Sequence, residues 1–243
     1  MIRWEGEAVV LSVRRHGETS ALIDVFAADA GRYGGVVRGG SGRRLRAALQ
    51  PGAVVQANWQ ARLDQHLGSL SLEPRRQHLG GVLDDPAALA ALSSACALLL
   101  RALPERQPQP NLYAHSLLLM GALSAPGWAP SYVMWEMELL AALGFGLDLH
   151  CCAVTGVREG LRYVSPRTGR AVSATAALGW EAKLLPLPGI LGGDMAQDSA
   201  TDIHQALNLT GYFIKRHLFD GSAGAQTPEA RERLARLFAP KAE

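Results

Sequence analysis

Lysine is scarce in this chain and occurs only at Lys183, Lys215 and Lys241. A P-loop requires a lysine directly after its last glycine, and none of the three follows a glycine, so nucleotide hydrolysis of that kind is excluded. The histidines lack the HExxH spacing of a metalloprotease, and no nucleophile with a matching base can be assigned. We therefore expect a protein that is not an enzyme and that needs no cofactor.

Cysteines and long apolar runs are also few. The three cysteines, Cys96, Cys151 and Cys152, are odd in number and two are adjacent, which argues against a disulfide framework and favours a reducing compartment. Consecutive side chains such as those at 150–152 do not converge on one tetrahedral metal ion. The longest nearly apolar stretch, about 87–100, is shorter than the ~18 to 20 residues of a bilayer span. We expect a cytoplasmic protein.

Acidic residues are absent from Ala30 to Leu63, where glycines and arginines are concentrated instead. Residues 1–79 contain eleven arginines against seven acidic side chains, although the whole chain has a formal charge of only +2. Glycines allow a backbone to approach a ligand closely, and arginine matches phosphate oxygens with two parallel hydrogen bonds. The alternative is a solvated loop. The predicted nucleic-acid contacts are Arg14, Arg15, Arg32, Arg38, Arg43, Arg44 and Arg46.

The first 80 residues have the pattern of strands separated by turns. Runs rich in β-branched or alternating residues are bounded by glycine and aspartate turns, which is typical of a small barrel. An OB-fold is the commonest five-stranded barrel, and an SH3-like barrel has a similar strand count. The predicted strands lie at about 5–16, 19–27, 32–37, 51–63 and 68–75.

After Gly80 the pattern becomes helical, which predicts an α+β chain with a barrel at 1–80 and a helical domain at 81–243. Asp85-Pro86 is a helix start, and Ser199 with Asp202 three residues later resembles a capping box. A short β-like insert lies between residues 150 and 172. The other helices are predicted at about 111–123, 131–145, 199–219 and 228–238.

Three stretches carry a resemblance to a known family. In chain order they read GETSALIDVFAADAG, RYGGVVRGGSGRRLRAALQPG and WEMELLAALGFGLDLHCCAVTG. From about Glu5 to Phe238 the chain resembles the RecO family of bacterial recombination mediators. The resemblance implies a five-stranded OB-fold barrel, a helical domain and a zinc-ribbon-like insert, here at about 148–178.

The same resemblance implies partners and a function. RecO-like proteins bind single- and double-stranded DNA, anneal complementary strands, contact the C-terminal tail of single-strand-binding protein, and with RecR help place RecA on gaps. We therefore expect a nucleoid-associated mediator of recombinational DNA repair in the RecF pathway. The alternative, an OB-fold nuclease or other hydrolase, needs a carboxylate or histidine cluster that the sequence does not provide. A third reading is an adaptor whose arginines face solvent.

Many RecO-like proteins hold zinc with two pairs of cysteines in the insert. The aligned positions here are Cys152, Thr155, Ser173 and Ala176, so three of the four thiolates are missing. We predict an insert without zinc, held by its hairpin and by core packing.

For the acidic tail of single-strand-binding protein we predict an apolar groove rimmed by cations of the helical domain. The candidates are Lys215 and Arg216 near the end of one helix and Arg231 on the last helix. Solvated helix faces are the alternative for these three cations.

Overall fold

The computed structural model describes residues 2–39, 49–63, 67–76, 80–194, 199–220 and 226–240. Arg43, Arg44 and Arg46 therefore lie outside the described residues. The described N-terminal part forms five strands, in each case within a few residues of the predicted limits. They are β1 Ile2–His16, β2 Ser20–Ala27, β3 Gly31–Arg38, β4 Val54–Ala61 and β5 Gly68–Arg76.

These strands pair in the order β1-β2-β3-β5-β4, and β4 pairs back with β1, so the sheet closes into a barrel. Long strand β1 pairs with β4 through residues 2–9 and with β2 through residues 8–16, and the pairing with β2 shifts register between Val10 and Ser12. Inward side chains such as Ile23 and Trp59 are fully buried. A Cβ at Gly68 would lie 2.2 Å from the Trp59 ring, so this close approach requires glycine.

Two helices belong to the same compact unit as the barrel, which comprises residues 1–128 and 228–231. They are α1 Pro86–Ala102 and α2 Pro110–Ala122. The predicted start of α1 is confirmed, because the Asp85 carboxylate accepts a hydrogen bond from the Ala87 N–H at 2.8 Å and proline follows it. The predicted limit at residue 80 marks the change from strands to helices, whereas the contacts of the chain extend this unit to Trp128.

The second compact unit comprises residues 129–227 and 232–243. It contains α3 Ala129–Ala142, a small sheet and α4 Ser199–Ile214, which continues into a π turn over Lys215–Phe219. The sheet has the order β7-β6-β8 in the described residues. Its strands are β6 Leu161–Val164, β7 Ala171–Ser173 and β8 Leu185–Pro186. The C-terminal helix, α5 Glu229–Leu237, has its first residues in the first unit and the rest in the second.

A buried carboxylate joins α3 to α4. Glu136 is fully buried and accepts hydrogen bonds from the Tyr132 hydroxyl at 3.0 Å and from the Thr210 hydroxyl at 2.5 Å. Because an unpaired buried carboxylate is costly, these contacts fix the two helices against each other.

The predicted α+β class, with a five-stranded N-terminal sheet followed by helices, is confirmed. Two details differ. The small sheet takes its third strand, β8, from beyond the predicted insert limit at 178. Asp202, predicted as part of a capping box, accepts hydrogen bonds from the backbone N–H groups of Gly189 and Ile190 at 2.7 and 2.6 Å, so it anchors a neighbouring 3-10 turn at Gly189–Leu191.

In the described part of the chain, no helix is long and apolar enough to cross a bilayer.

Candidate nucleic-acid interface

Three of the predicted arginines lie near one end of the barrel, with Arg14 and Arg38 on its outer face and Arg15 on the alternate face of β1. In the strand register His16 lies opposite Ser20, which lies opposite Arg38, so the ends of β1 and β3 flank the start of β2. Arg14 and Arg15 immediately precede His16, and both are exposed, as is Arg38. Arg38 is also the last residue of β3, and the arginine-rich segment follows it in the chain. The described arginines therefore lie at the end of the barrel from which that segment continues.

Asp24 on β2 is a carboxylate beside these arginines, and its charge is offset locally. Asp24 accepts a hydrogen bond from the Ser12 hydroxyl at 2.6 Å and forms ion pairs with Arg14 at 3.4 Å and Arg32 at 3.9 Å. Two guanidinium groups thus compensate one carboxylate. The Arg14 side chain remains 65% exposed, so it can still reach a phosphate.

Arg32 does not join the other arginines. It lies six residues before Arg38 on an extended strand, about 20 Å away at ~3.3 Å per residue. Its side chain is 15% exposed, donates to the Leu103 carbonyl at 3.0 Å and pairs with Glu105 at 3.3 Å. The guanidinium is therefore bound to the segment between α1 and α2. The structure therefore argues against a phosphate contact by Arg32, which the sequence could not reveal because its partners are about 70 residues away.

The barrel presents few rings to a ligand. Phe26 and Trp59 are buried, and the half-buried Tyr33 packs against Trp4 and Trp59 with ring centroids 5.2 and 4.9 Å apart. The Arg106 guanidinium lies 5.3 Å from the Tyr33 ring and covers it further. The face can thus bind a phosphate backbone while making little base stacking.

The predicted partner cations have different surroundings. Lys215 and Arg216 are exposed on the π turn, and Arg216 donates to the Pro166 carbonyl at 2.5 Å and to the Tyr212 hydroxyl at 3.1 Å. Arg231 is only 5% exposed and has contacts of its own. Its guanidinium is therefore not accessible to a peptide, contrary to the prediction. The sequence showed a charged helix face but not which side of α5 is buried.

The second unit contains a groove whose position the sequence did not indicate. It has a volume of roughly 550 Å³, and α3, residues 146–150 and the 3-10 turn after β8 form its walls. The apolar lining is Met134, Met137, Ala141, Leu147, Leu149, Ile190 and Leu191, with Glu138 and His150 as polar members. Its walls come from three separate segments, which is why no local pattern indicated it.

The π turn lies beside one end of this groove. Phe145, which precedes the lining residue Gly146, stacks on the His217 ring at a centroid distance of 4.6 Å. Burial, with a smaller contribution from the neighbouring Arg216 charge, lowers the pKa of His217. His217 is therefore an uncharged stacking partner near neutral pH.

In the insert, one thiol is surrounded by the positions that the resemblance aligned with zinc ligands. The Cys152 sulfur accepts the Ser173 N–H at 3.3 Å and hydrogen bonds from groups of Thr155, while the Ala176 N–H donates to the Ser173 hydroxyl at 3.4 Å. Burial alone would raise the pKa of Cys152, but the Ser173 and Thr155 hydrogen bonds outweigh it and lower the pKa to about 6. Within the described ranges, no group of three His, Cys, Asp or Glu side chains could hold a metal ion.

Fold and site together define a class of architecture in which a small barrel with arginines at one end is joined to helices and a small β insert. The family models for the N-terminal and C-terminal parts of recombination protein O match residues 1–77 and 83–223. The chain therefore belongs to the RecO family.

Curated relatives match nearly the whole chain. A protein of Cereibacter sphaeroides named DNA repair protein RecO is 50% identical over 240 residues, which cover 98% of this chain and 99% of the relative. Proteins of the same name from Rhodospirillum rubrum and a Jannaschia species are each 48% identical, and they cover 96% and 95% of this chain and 95% and 94% of their own lengths.

Proposed function

We propose that this protein is a DNA-binding mediator of recombinational repair that anneals complementary single strands without catalysing a covalent step. With RecR it would assist RecA loading on gaps coated by single-strand-binding protein. The observation that carries the proposal is one end of the barrel, where Arg14 and Arg38 are exposed on the outer face, Arg15 is exposed next to them in the chain, and Asp24 is already paired. Family membership supports the same direction.

The chemistry of this face suits annealing. Arginines bind phosphates irrespective of sequence, and phosphate contacts position a strand without reading it. Because the rings of the barrel are buried or covered, the bases of a bound strand stay free to pair with a second strand. Double-stranded DNA offers the same phosphates, so we expect it to bind the face as well.

The test is a salt titration of oligonucleotide binding by fluorescence anisotropy. Replacing Arg14, Arg15 and Arg38 by alanine should weaken binding and reduce the salt slope by ~0.7 for each lost single-strand contact. Lysine at the same positions should restore the slope but only part of the affinity, because an ammonium lacks the two-pronged geometry. Arg75→Ala is the matched control, since Arg75 is exposed on β5 and donates to Gln56 at 2.9 Å. A folded triple-alanine protein with parental affinity and slope would refute this placement.

For the tail of single-strand-binding protein we propose the groove of the second unit. Its apolar walls suit hydrophobic terminal side chains, and the exposed Lys215 and Arg216 on the neighbouring π turn suit acidic ones. The Glu138 carboxylate in the wall repels an acidic peptide, so Glu138→Gln should tighten binding of a tail peptide. Met137→Asp should abolish it. Unchanged peptide affinity in both variants would place the tail elsewhere.

A further inference from the structure

Trp180 is an exposed indole. It is 60% exposed, whereas Trp59, Trp128 and Trp135 are buried and Trp4 is half-buried against the barrel core. A large aromatic ring in water is unfavourable, and exposed apolar surface of this kind marks interaction sites. The roles proposed above do not use this residue.

The structure fixes the backbone that carries the ring. The backbone N–H of Trp180 donates to the Ala177 carbonyl at 2.8 Å, and the Trp180 carbonyl accepts the backbone N–H of Lys183 at 2.8 Å as the 3-10 turn Glu181–Lys183 begins. The same turn brings the Lys183 ammonium to 4.6 Å from the indole centroid. Ring and cation thus form a preorganised pair on the surface of the insert.

Further exposed side chains occupy the same end of the insert. The turn that contains Thr155 and the turn that begins at Ser173 both converge on the Cys152 sulfur. Val154 and Leu178, on or just after these turns, are 71% and 73% exposed. The apolar surface around Trp180 is therefore more extensive than one ring.

The surrounding charge favours a polyanion. Residues 148–183 contain five basic side chains against three acidic ones. Arg170 is paired with Asp148 at 3.1 Å, while Arg158, Arg162 and Arg167 are exposed. Aromatic platforms combined with cations are how proteins hold single strands, with bases on the rings and phosphates on the cations.

We propose that Trp180 stacks on a base of single-stranded DNA while Lys183 contacts the adjacent phosphate, which makes the insert a second strand-binding site separate from the barrel face. The inference rests on the proposed annealing function, because annealing requires two strands to be held at once. A second site of different chemistry would let the barrel face hold one strand by its phosphates and the insert capture the other by a base.

The test is a titration with oligo(dT) that is followed by tryptophan emission and, in parallel, by anisotropy over a range of salt. Stacking on the exposed indole should quench the red edge of the emission, and Trp180→Ala should abolish that quench. Binding should weaken roughly five-fold or more, in keeping with base–aromatic stacking, with an unchanged salt slope. Trp180→Phe should retain part of the affinity. Leu118→Ala, at a 70% exposed position on α2, is the control and should change nothing.

The outcomes separate this inference from the proposed function. If the parent binds DNA but shows no quench, and Trp180→Ala binds equally well, the insert is not a strand site. If Trp180→Ala leaves DNA binding intact but loses RecR or the tail peptide, the surface is a protein interface and the inference is wrong. If the parent binds no oligonucleotide at all, the proposed function itself fails.

Discussion

The thiol at the centre of the insert makes the stability of the protein depend on pH. Hydrogen bonds from Ser173 and Thr155 overcome the effect of burial and lower the pKa of Cys152 from 9.0 to about 6 in the folded protein. Because the folded pKa lies below the unfolded one, the contribution to stability is fully present above pH 9 and is lost as the pH falls through 6.

The size of this contribution follows from the two pKa values. At ~1.4 kcal/mol per pKa unit the full contribution is about 4 kcal/mol, of which about 2 kcal/mol is present at pH 7.5 and less than about 0.5 kcal/mol at pH 6. Urea unfolding of the parent between pH 6 and 9 should show this rise. Cys152→Ser should remove it, since a serine hydroxyl does not ionise in this range.

Cys96 supplies a matched control, because it is also buried but burial raises its pKa to about 12. Cys96→Ser should alter stability by the same amount at every pH from 6 to about 8, because the Cys96 thiol stays protonated there in both the folded and the unfolded protein. The reasoning is refuted if the parent and Cys152→Ser lose the same free energy of unfolding between pH 9 and pH 6.

Three further predictions follow from the same contacts. Elemental analysis of the folded protein should find no stoichiometric zinc, since Cys152 lacks thiolate partners; about one zinc per chain would contradict this. Arg32→Ala should lower the thermal midpoint with little change in the salt slope of DNA binding, because Arg32 holds Leu103 and Glu105. Reversing the charges of Lys215 and Arg216 to glutamate should weaken tail-peptide binding at least ten-fold at low salt, measured by anisotropy, while unchanged affinity would remove the π turn from the proposed site.

Local signals predicted the elements well. The Asp85 carboxylate and the Pro86 ring define the start of α1. The apolar residues of the predicted strands, such as Ile23 and Val55, are the side chains that the barrel buries. Both effects act within a few residues, so a single sequence contains them.

The parts that sequence reasoning missed depend on distant partners. Arg32 looked like the other arginines of the N-terminal region, but Leu103 and Glu105 determine its role. Asp202 fitted a capping box, yet its carboxylate binds the backbone of a turn that lies earlier in the chain. The groove and the exposure of Trp180 likewise arise only when separate segments meet.

The most direct test of the central claim is the annealing rate of two complementary oligonucleotides, bare and coated with single-strand-binding protein, measured with parent protein and with Arg43, Arg44 and Arg46 replaced by alanine. These three residues lie outside the described part of the chain but continue from Arg38. We predict that the parent accelerates annealing in both settings and that the triple variant, correctly folded, loses most of the acceleration at moderate salt. Parental annealing by that variant, or no acceleration by the parent, would contradict the account.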